Sequence, residues 1–262
     1  MMRLPHQANR MSIDELAWTN STHGKKTGKV TLLGAGPGDL DLLTLKAVKV
    51  LAAADVVLAD ALVNPEILSF APNAKALLVG KRGGCMSTSQ VRIEQTMLQY
   101  AMAGASVVRV KGGDPLLFGR AAEECLALRA HGIDIEIVNG ISAGFAAAAR
   151  LGISLTHRGY SHGVTFVSAH LKEHAEPDWH RLAQAGTTIV IYMGMRRVER
   201  IAQALLRELK PSTPASVVQA VGTADEKVWI GQLETLASAV VAGRFESPAV
   251  ILVGDTIGTS SE

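Results

Sequence analysis

Four glycine-bearing segments punctuate the first part of this chain, at 34–39, 81–84, 112–114 and 140–143. Each follows a short apolar run, at 29–33, 76–79, 106–110 and 133–138, and each is followed by a stretch with helical apolar spacing. A further apolar run, 56–58, ends at Asp60 and leads into a short helix-like stretch at 65–70. Run 29–33 alternates too little for a strand with one wet face, so it reads as a buried strand, as does 56–58, and the other runs read as strands beside them. Alternation of such strands with helices predicts a mostly parallel sheet covered on both faces. Ligands of such sheets bind outside the carboxyl ends of the strands, and all four glycine segments fall at those ends. Four loops on one edge argue for a site better than any one of them does.

The helix boundaries carry weaker signals. Asp41 reads as the N-cap of a helix over 42–53, and Ser87 with Gln90 has capping-box spacing before a helix that runs to Ala103. Helix 119–130 follows strand 106–110, and an Ala-rich helix follows 140–143. Residues 152–163 read as a linker containing Thr156-His157-Arg158-Gly159. Beyond it come strand 164–168, a helix around 178–185, strand 187–192, helix 196–208, strands 215–218 and 227–231, helix 233–242 and strand 249–253. The closely spaced strands 215–218 and 227–231 read as a hairpin, so this second sheet is expected to be mixed. The expected organisation is a disordered tail at 1–28, an N-terminal α/β domain at 29–151 and a C-terminal α/β domain at 152–262.

The segment from Val110 through Lys111, Gly112, Gly113, Asp114 and Pro115 to Leu117, Phe118, Gly119 and Arg120 is the richest in chemistry. Its two glycines permit close approach to the backbone, Asp114 can accept hydrogen bonds, and Pro115 fixes the turn. Arg120 and Glu123 stand three apart, which on a helix puts them on one face.

Composition narrows the function. Aromatic residues make up 4% of the chain, so base stacking on a nucleic acid has few candidates, and a formal net charge of +2 implies no nucleic-acid partner. It still permits a local basic pocket for an acidic small molecule. No apolar run reaches the roughly 18 residues of a membrane helix, and residues 1–28 lack a signal-peptide core. The two cysteines, Cys85 and Cys125, form neither a disulfide framework nor a zinc spacing, and reduced thiols of a cytoplasmic protein are expected.

Taken together the motifs resemble the tetrapyrrole (cobalamin-precorrin) methylase family. The matching blocks are Leu33-Gly34-Ala35-Gly36-Pro37-Gly38-Asp39 with Leu42 to Ala47, Ala54-Asp55-Val56-Val57 with Asp60, Val79-Gly80-Lys81-Arg82, and Val108 to Pro115 with Phe118-Gly119-Arg120. Further on stand Glu123-Glu124, Gly140-Ile141-Ser142-Ala143, Leu155-Thr156-His157-Arg158, Tyr192-Met193-Gly194 and Ser247-Pro248-Ala249. The resemblance covers roughly 29–258. It implies two α/β domains, parallel and mixed, with the cofactor in the cleft between them, and a homodimer. The cofactor implied is S-adenosyl-L-methionine, leaving as S-adenosyl-L-homocysteine. The branch most resembled methylates uroporphyrinogen III at two pyrrole carbons, C2 and C7, giving precorrin-2, a branch point toward sirohaem, cobalamin or haem d1.

Matched by motif, the cofactor residues are Pro37, Gly112, Gly113, Asp114, Leu117, Ser142, Ala143, Met193 and Gly222, with Asp114 on the cofactor's amino group or ribose. Asp60 and Lys81 match the proton acceptor and donor, and Arg120, Glu123, Arg158 and Met193 match the substrate side. The phosphate-cradling role of glycine loops does not carry over, because this cofactor has no phosphate, so the glycines are expected to clear space for substrate and cofactor. The family often has tyrosine and arginine where Ala59 and Ala61 flank Asp60, usually proline at Asn139, and glycines at Ala121 and Ala122.

The residues suit that chemistry. A substrate with eight carboxylates calls for cations, which Lys81, Arg82, Arg120 and Arg158 supply. Arg120 is expected to anchor carboxylates or stabilise developing charge, oriented by Glu123. Methyl transfer to an electron-rich carbon needs positioning and one base, with no metal. The bland alternatives are a surface ion pair for Arg120 and Glu123, a helix cap for Asp60, core packing for Met193 and solvated loop charge for Lys81 and Arg82. A rival class is a zinc hydrolase, from His170-Leu171-Lys172-Glu173-His174, but the segment follows a strand and meets Pro177, and no third ligand motif accompanies it. Within the resemblance the alternatives are a later corrin precursor, a diphthine or a ribosomal RNA target. A non-catalytic binding protein stays open if Asp60 and Arg120 are buried structural ions.

Overall fold

The computed structural model describes residues 27–79, 89–170 and 175–261. Its first sheet is built from β1 (Lys29–Gly34), β2 (Val56–Asp60), β3 (Lys75–Val79), β4 (Val107–Lys111) and β5 (Asp134–Val138), all parallel, in the order β3-β2-β4-β1-β5. Side chains alternate between the faces of a strand. Val30, Leu32, Val56, Leu58, Leu77, Val79 and Val107 therefore share one face, and Leu33, Val57, Ala59, Val108 and Val110 the other. Helices α2 (Gln90–Met102) and α3 (Ala121–Ala130) cover the first face with Ile93, Met97, Cys125 and Leu128. Helix α1 (Leu45–Ala52) and a 3-10 helix at Pro65–Phe70 cover the second with Ala47, Leu51 and Ile67.

The strand order explains that division. From β1 to β2 to β3 the chain moves toward one edge, and from β3 to β4 to β5 it moves back. Parallel crossovers keep one hand, so a reversal of direction sends the connections to the opposite face. Connections diverge from the neighbouring strands β1 and β4, the place where sheets of this kind commonly bind their ligands.

The second sheet comprises β6 (Val164–Ser168), β7 (Thr188–Tyr192), β8 (Pro214–Gln219), β9 (Lys227–Gln232) and β10 (Ala249–Val253), in the order β6-β7-β10-β8-β9. Only β6 and β7 run parallel. The others pair antiparallel, and β8 and β9 form the expected hairpin, so the sheet is mixed. Helices α5 (Trp179–Gln184), α6 (Val198–Leu205) and α7 (Leu236–Ala242) bury Trp179, Ile201, Leu205 and Leu236 against Ile189, Ile191, Val217 and Ile251. Helix α4 (Ala143–Leu151) packs with this sheet: Gly144 N donates to the Tyr192 hydroxyl at 2.8 Å, and the Phe145 and Phe166 rings lie 5.4 Å apart.

The contacts divide the chain into Met1–Ser142 and Ala143–Glu262. The sequence reading put the Ala-rich helix with the first domain, because periodicity cannot say which sheet a helix will cover. Two local readings, both of caps, need correction. The cap of α1 is Thr44, whose hydroxyl accepts from Ala47 N, while Asp41 lies in a 3-10 turn capped by Asp39. The cap of α2 is Ser89, accepting from Arg92 N, and Ser87 lies outside the described residues. The short helix at 65–70 is of the tight 3-10 kind, with Pro65 at its first position and Asn64 capping it.

Candidate functional site

Three of the four glycine loops meet one another; loop 81–84 lies outside the described residues. Gly36 and Gly113 form a two-way backbone bridge, at 3.2 and 2.7 Å. A Cβ at Gly34 would stand 2.6 Å from Gly113 O and 2.6 Å from Gly140 N, and one at Gly140 would stand 2.3 Å from Gly113 O. Backbone cannot yield as a side chain can, so Gly34 and Gly140 are required for loop-on-loop packing. These two glycines serve packing, whereas Gly112 is exposed and a Cβ there would meet nothing nearer than Leu62 Cβ at 3.9 Å.

Asp114 locks the same junction. Its Oδ1 accepts from Leu116 N at 2.8 Å, and its Oδ2 accepts from Asn139 Nδ2 at 3.0 Å and Gly140 N at 3.1 Å. The amide at position 139 thus supplies a donor that proline cannot. Asp114 Oδ1 closes its own loop after β4 and Oδ2 ties that loop to the one after β5, so any ligand contact would have to use their remaining lone pairs.

The strongest electrostatic feature lies just beneath. Along the face covered by α2 and α3, β4 reads Val107, Arg109, Lys111 and β2 reads Val56, Leu58, Asp60, so an apolar face turns charged at its carboxyl end. The Arg109 side chain is 2% exposed. It donates to Asp60 Oδ1 at 2.5 Å, to Glu124 Oε1 at 3.3 Å and to the carbonyls of Leu58 and Val110. Glu124, from α3 and fully buried, also accepts from Lys111 Nζ at 3.0 and 3.1 Å and from Gln90 Nε2 of α2 at 3.1 Å. Two cations and two carboxylates leave this group neutral. Burial, with Arg109 beside it, pushes the Lys111 ammonium below its ordinary value, while Glu124 and Asp60 oppose that shift. Asp60 is the member that reaches water, its side chain 31% exposed. The sequence reading named Asp60 but missed its partners. The available signal was an arginine amid the valines of strand 106–110.

The remaining expected residues are placed as follows. Arg120 is not within α3 but immediately before it, in the left-handed region at φ 58°, and its Nε donates to Glu123 Oε1 at 3.3 Å on the surface. The helix-face argument for the pair is thus corrected, though the pair itself forms. Phe118 shares the left-handed conformation and, with Leu62 and Leu116, leaves an apolar side chain exposed on the loops of this edge. Pro37 and Leu117 are half-buried in the loops after β1 and β4, and Ser142 is buried next to Ala143 at the start of α4. In the second unit Met193 follows β7 at φ 56°, half-exposed, which removes its reading as core packing. Gly222 follows β8 at φ 74°, with its N–H on Glu226 Oε2 at 2.9 Å. Non-glycine residues held at positive φ concentrate where a function maintains them. Arg158 is exposed in the loop closed by the His157–Ser161 bridge. Lys81, Arg82, Glu173 and His174 lie outside the described residues, and among the described residues no three metal-ligating side chains come together.

A parallel unit with packed glycine loops at its carboxyl edge, followed by a mixed unit with strained turns after β7 and β8, defines a class of two-unit α/β proteins. The chain belongs to the tetrapyrrole (corrin/porphyrin) methylases, whose family model matches residues 29–237. It is 50% identical over 232 residues to the uroporphyrinogen-III C-methyltransferase of Pseudomonas aeruginosa, covering 87% of this chain and 94% of that one. Among solved structures it resembles the Thermus thermophilus uroporphyrin-III C-methyltransferase complexed with S-adenosyl homocysteine, with TM-score 0.76, 39% identity, and 88% and 100% coverage. It also resembles a cobalt precorrin-4 methyltransferase, with TM-score 0.79, 30% identity, and 87% and 95% coverage.

Proposed function

We propose that this chain is an S-adenosyl-L-methionine-dependent C-methyltransferase that converts uroporphyrinogen III to precorrin-2 by methylating two pyrrole carbons. The observation that carries the reading is half-identity, along nearly the full length, to a relative named for that reaction. Backbone similarity does not choose the acceptor, since the cobalt precorrin-4 enzyme fits this fold as well. Sequence identity supports the uroporphyrinogen acceptor, at 39% against 30%.

The residues present fit the cofactor: Gly112 offers open backbone, and Leu62, Leu116 and Phe118 leave apolar surface on the same edge for a heteroaromatic group. When bound, the cofactor supplies an electrophilic methyl group. The residues that would hold it are Pro37, Gly112, Gly113, Leu117, Ser142, Ala143, Met193 and Gly222, with Asp114 chiefly keeping the loops in register. Asp60 takes the proton that leaves the macrocycle, and Lys81 returns one. Arg120, steadied by Glu123, and Arg158 bind substrate carboxylates through charge-assisted hydrogen bonds. A cytoplasmic homodimer completes the proposal.

The test is anaerobic incubation of the pure protein with uroporphyrinogen III and methyl-labelled S-adenosylmethionine, followed by mass spectrometry of the tetrapyrrole. A doubly methylated product is expected. Cofactor binding without transfer would overturn this acceptor and move the search to later corrin precursors.

A further inference from the structure

Stability does not call for the charged group under α2 and α3. Buried ion pairs are often matched or bettered by apolar side chains of equal volume, whereas loss of one partner is severe. The same face of the sheet shows the cheaper solution one step earlier, where Val56, Leu58 and Val107 pack against the helices without a charge. The change of character begins at Arg109 and ends at Asp60.

The geometry of the group has a direction. Glu124 lies at its sealed end, held by Lys111 and by Gln90, and Lys111 keeps both of the carboxylate oxygens occupied. Arg109 lies in the middle. Four of its five N–H donors are placed, one on Glu124, one on each of two backbone carbonyls and one on Asp60. A planar guanidinium with that many fixed partners cannot rotate. Asp60 is the open end, and among the described residues its Oδ2 has no hydrogen-bond partner. Three buried side chains therefore aim one carboxylate. In the register of the sheet Arg109 stands opposite Leu58, so it reaches along β2 to the residue two places on, which shares its face.

We propose that Arg109 is a positioning residue for methyl transfer: anchored by Glu124, it holds Oδ1 of Asp60 so that Oδ2 is presented as the proton acceptor. The inference rests on the functional reading above. Methyl transfer would form the new carbon–carbon bond with the pyrrole's electron pair as the donor's methyl–sulfur bond breaks, its electrons leaving with the thioether, and the ring would be left a cation. A neighbouring C–H bond then breaks, its electron pair closes the new double bond, and the proton passes to Asp60 Oδ2. A carboxylate tethered at one oxygen keeps the other in place through both methylations. The charged groups that meet here are Arg109 and Lys111 of β4, Asp60 of β2 and Glu124 of α3, with uncharged Gln90 from α2.

The experiment is a double-mutant cycle on the full chain, with steady-state methylation of uroporphyrinogen III as readout. Arg109→Lys keeps the charge and loses the fork. It is expected to lower kcat about 100-fold, the usual cost of a small misplacement at a reacting centre. Both KM values and S-adenosylhomocysteine affinity should stay within about twofold, because the Arg109 side chain is only 2% exposed and its bonds go to protein groups. In an Asp60→Asn background the same substitution should have no further effect, since residues that act as a unit are not additive. Losses that multiply, or a kcat unchanged in Arg109→Lys, would overturn the inference. If Arg109→Lys does not fold, Glu124→Gln loosens the anchor while leaving Arg109 in place, and the same pattern is expected with a smaller loss. If Asp60→Asn leaves no measurable turnover, the split between kcat and KM in the single variant decides. A wild-type chain inert toward uroporphyrinogen III would overturn the functional reading and this inference with it, whereas an active wild type with multiplicative losses overturns this inference alone.

Discussion

Arg120 and Arg109 are both arginines beside a glutamate, and the structure gives them opposite natures. The Arg120 side chain is 56% exposed, and its bond to Glu123 is a surface contact worth little to stability. Its backbone, at φ 58°, adopts a conformation that a non-glycine residue takes only at a cost. An exposed, strained arginine at the mouth of a helix contributes to binding more than to folding. Arg120→Ala is expected to change unfolding free energy by less than about 0.5 kcal/mol, as surface substitutions do. It should lower kcat/KM for uroporphyrinogen at least about tenfold, the scale of one lost charge-assisted bond. Titration with S-adenosylhomocysteine should show unchanged affinity. An enzyme that keeps its kcat/KM would return Arg120 to the ranks of surface ion pairs. At this scale the sequence showed which residues were polar and near a glycine loop. It did not show that Asp114 spends both oxygens on the loops, nor that Asp60 has a buried guanidinium behind it. The Asn139 and Arg109 partners stand more than 20 positions away, which no local pattern encodes.

A strand buried on both faces is legible because such burial leaves an unbroken apolar run, as at 249–253, which matches its observed limits. Helix starts were less so. Asp39, Asp41 and Thr44 are all competent caps within one short stretch, and the choice falls to whichever side chain meets a free N–H once the turn has formed. The joints between elements were invisible for the same reason. Glu136 of β5 accepts from Lys46 of α1 at 2.6 Å and from Lys29 of β1 at 3.3 Å, tying a helix to two adjacent strands. The Lys46 hydrogen bond, aided by Lys29 and opposed by partial burial, holds the Glu136 carboxyl below its ordinary value. A carboxyl lowered in the folded state contributes stability at pH above its unfolded value, and that contribution is lost as pH falls through the folded value. Both lysines are about half-exposed, so solvent screens the joint. Glu136→Gln is expected to cost about 0.5 kcal/mol in urea unfolding at pH 7. The gap from wild type should close in acid, once the carboxyl is protonated in both states. A gap that persists there would assign the loss to packing.

For the molecule as a whole, the informative quantity is a small one. A formal net charge of +2 spread over 262 residues creates little long-range field, and that field must serve a substrate with eight carboxylates under the proposed function. Attraction then has to come from a few cations close to the bound substrate. The exposed Arg120 and Arg158 meet that requirement, and Lys81 and Arg82 add two more in the sequence. Short-range contacts between exposed charges are screened once the Debye length shrinks toward a contact distance, from about 10 Å at 0.1 M salt to about 3 Å at 1 M. S-adenosylhomocysteine carries no net charge, and the loops proposed to hold it offer mainly glycine backbone and apolar side chains, which salt does not weaken. Raising salt from about 0.1 to about 1 M should therefore raise KM for uroporphyrinogen several-fold. The dissociation constant of S-adenosylhomocysteine, measured calorimetrically in the same buffers, should move by less than about twofold, and kcat should hold because the group that aims Asp60 is sealed from solvent. The two Kd and KM responses separate the loci of recognition. A parallel loss of both ligands would place the exposed arginines in general stability, and a salt-independent KM would show that the substrate's carboxylates are bound by groups other than these cations.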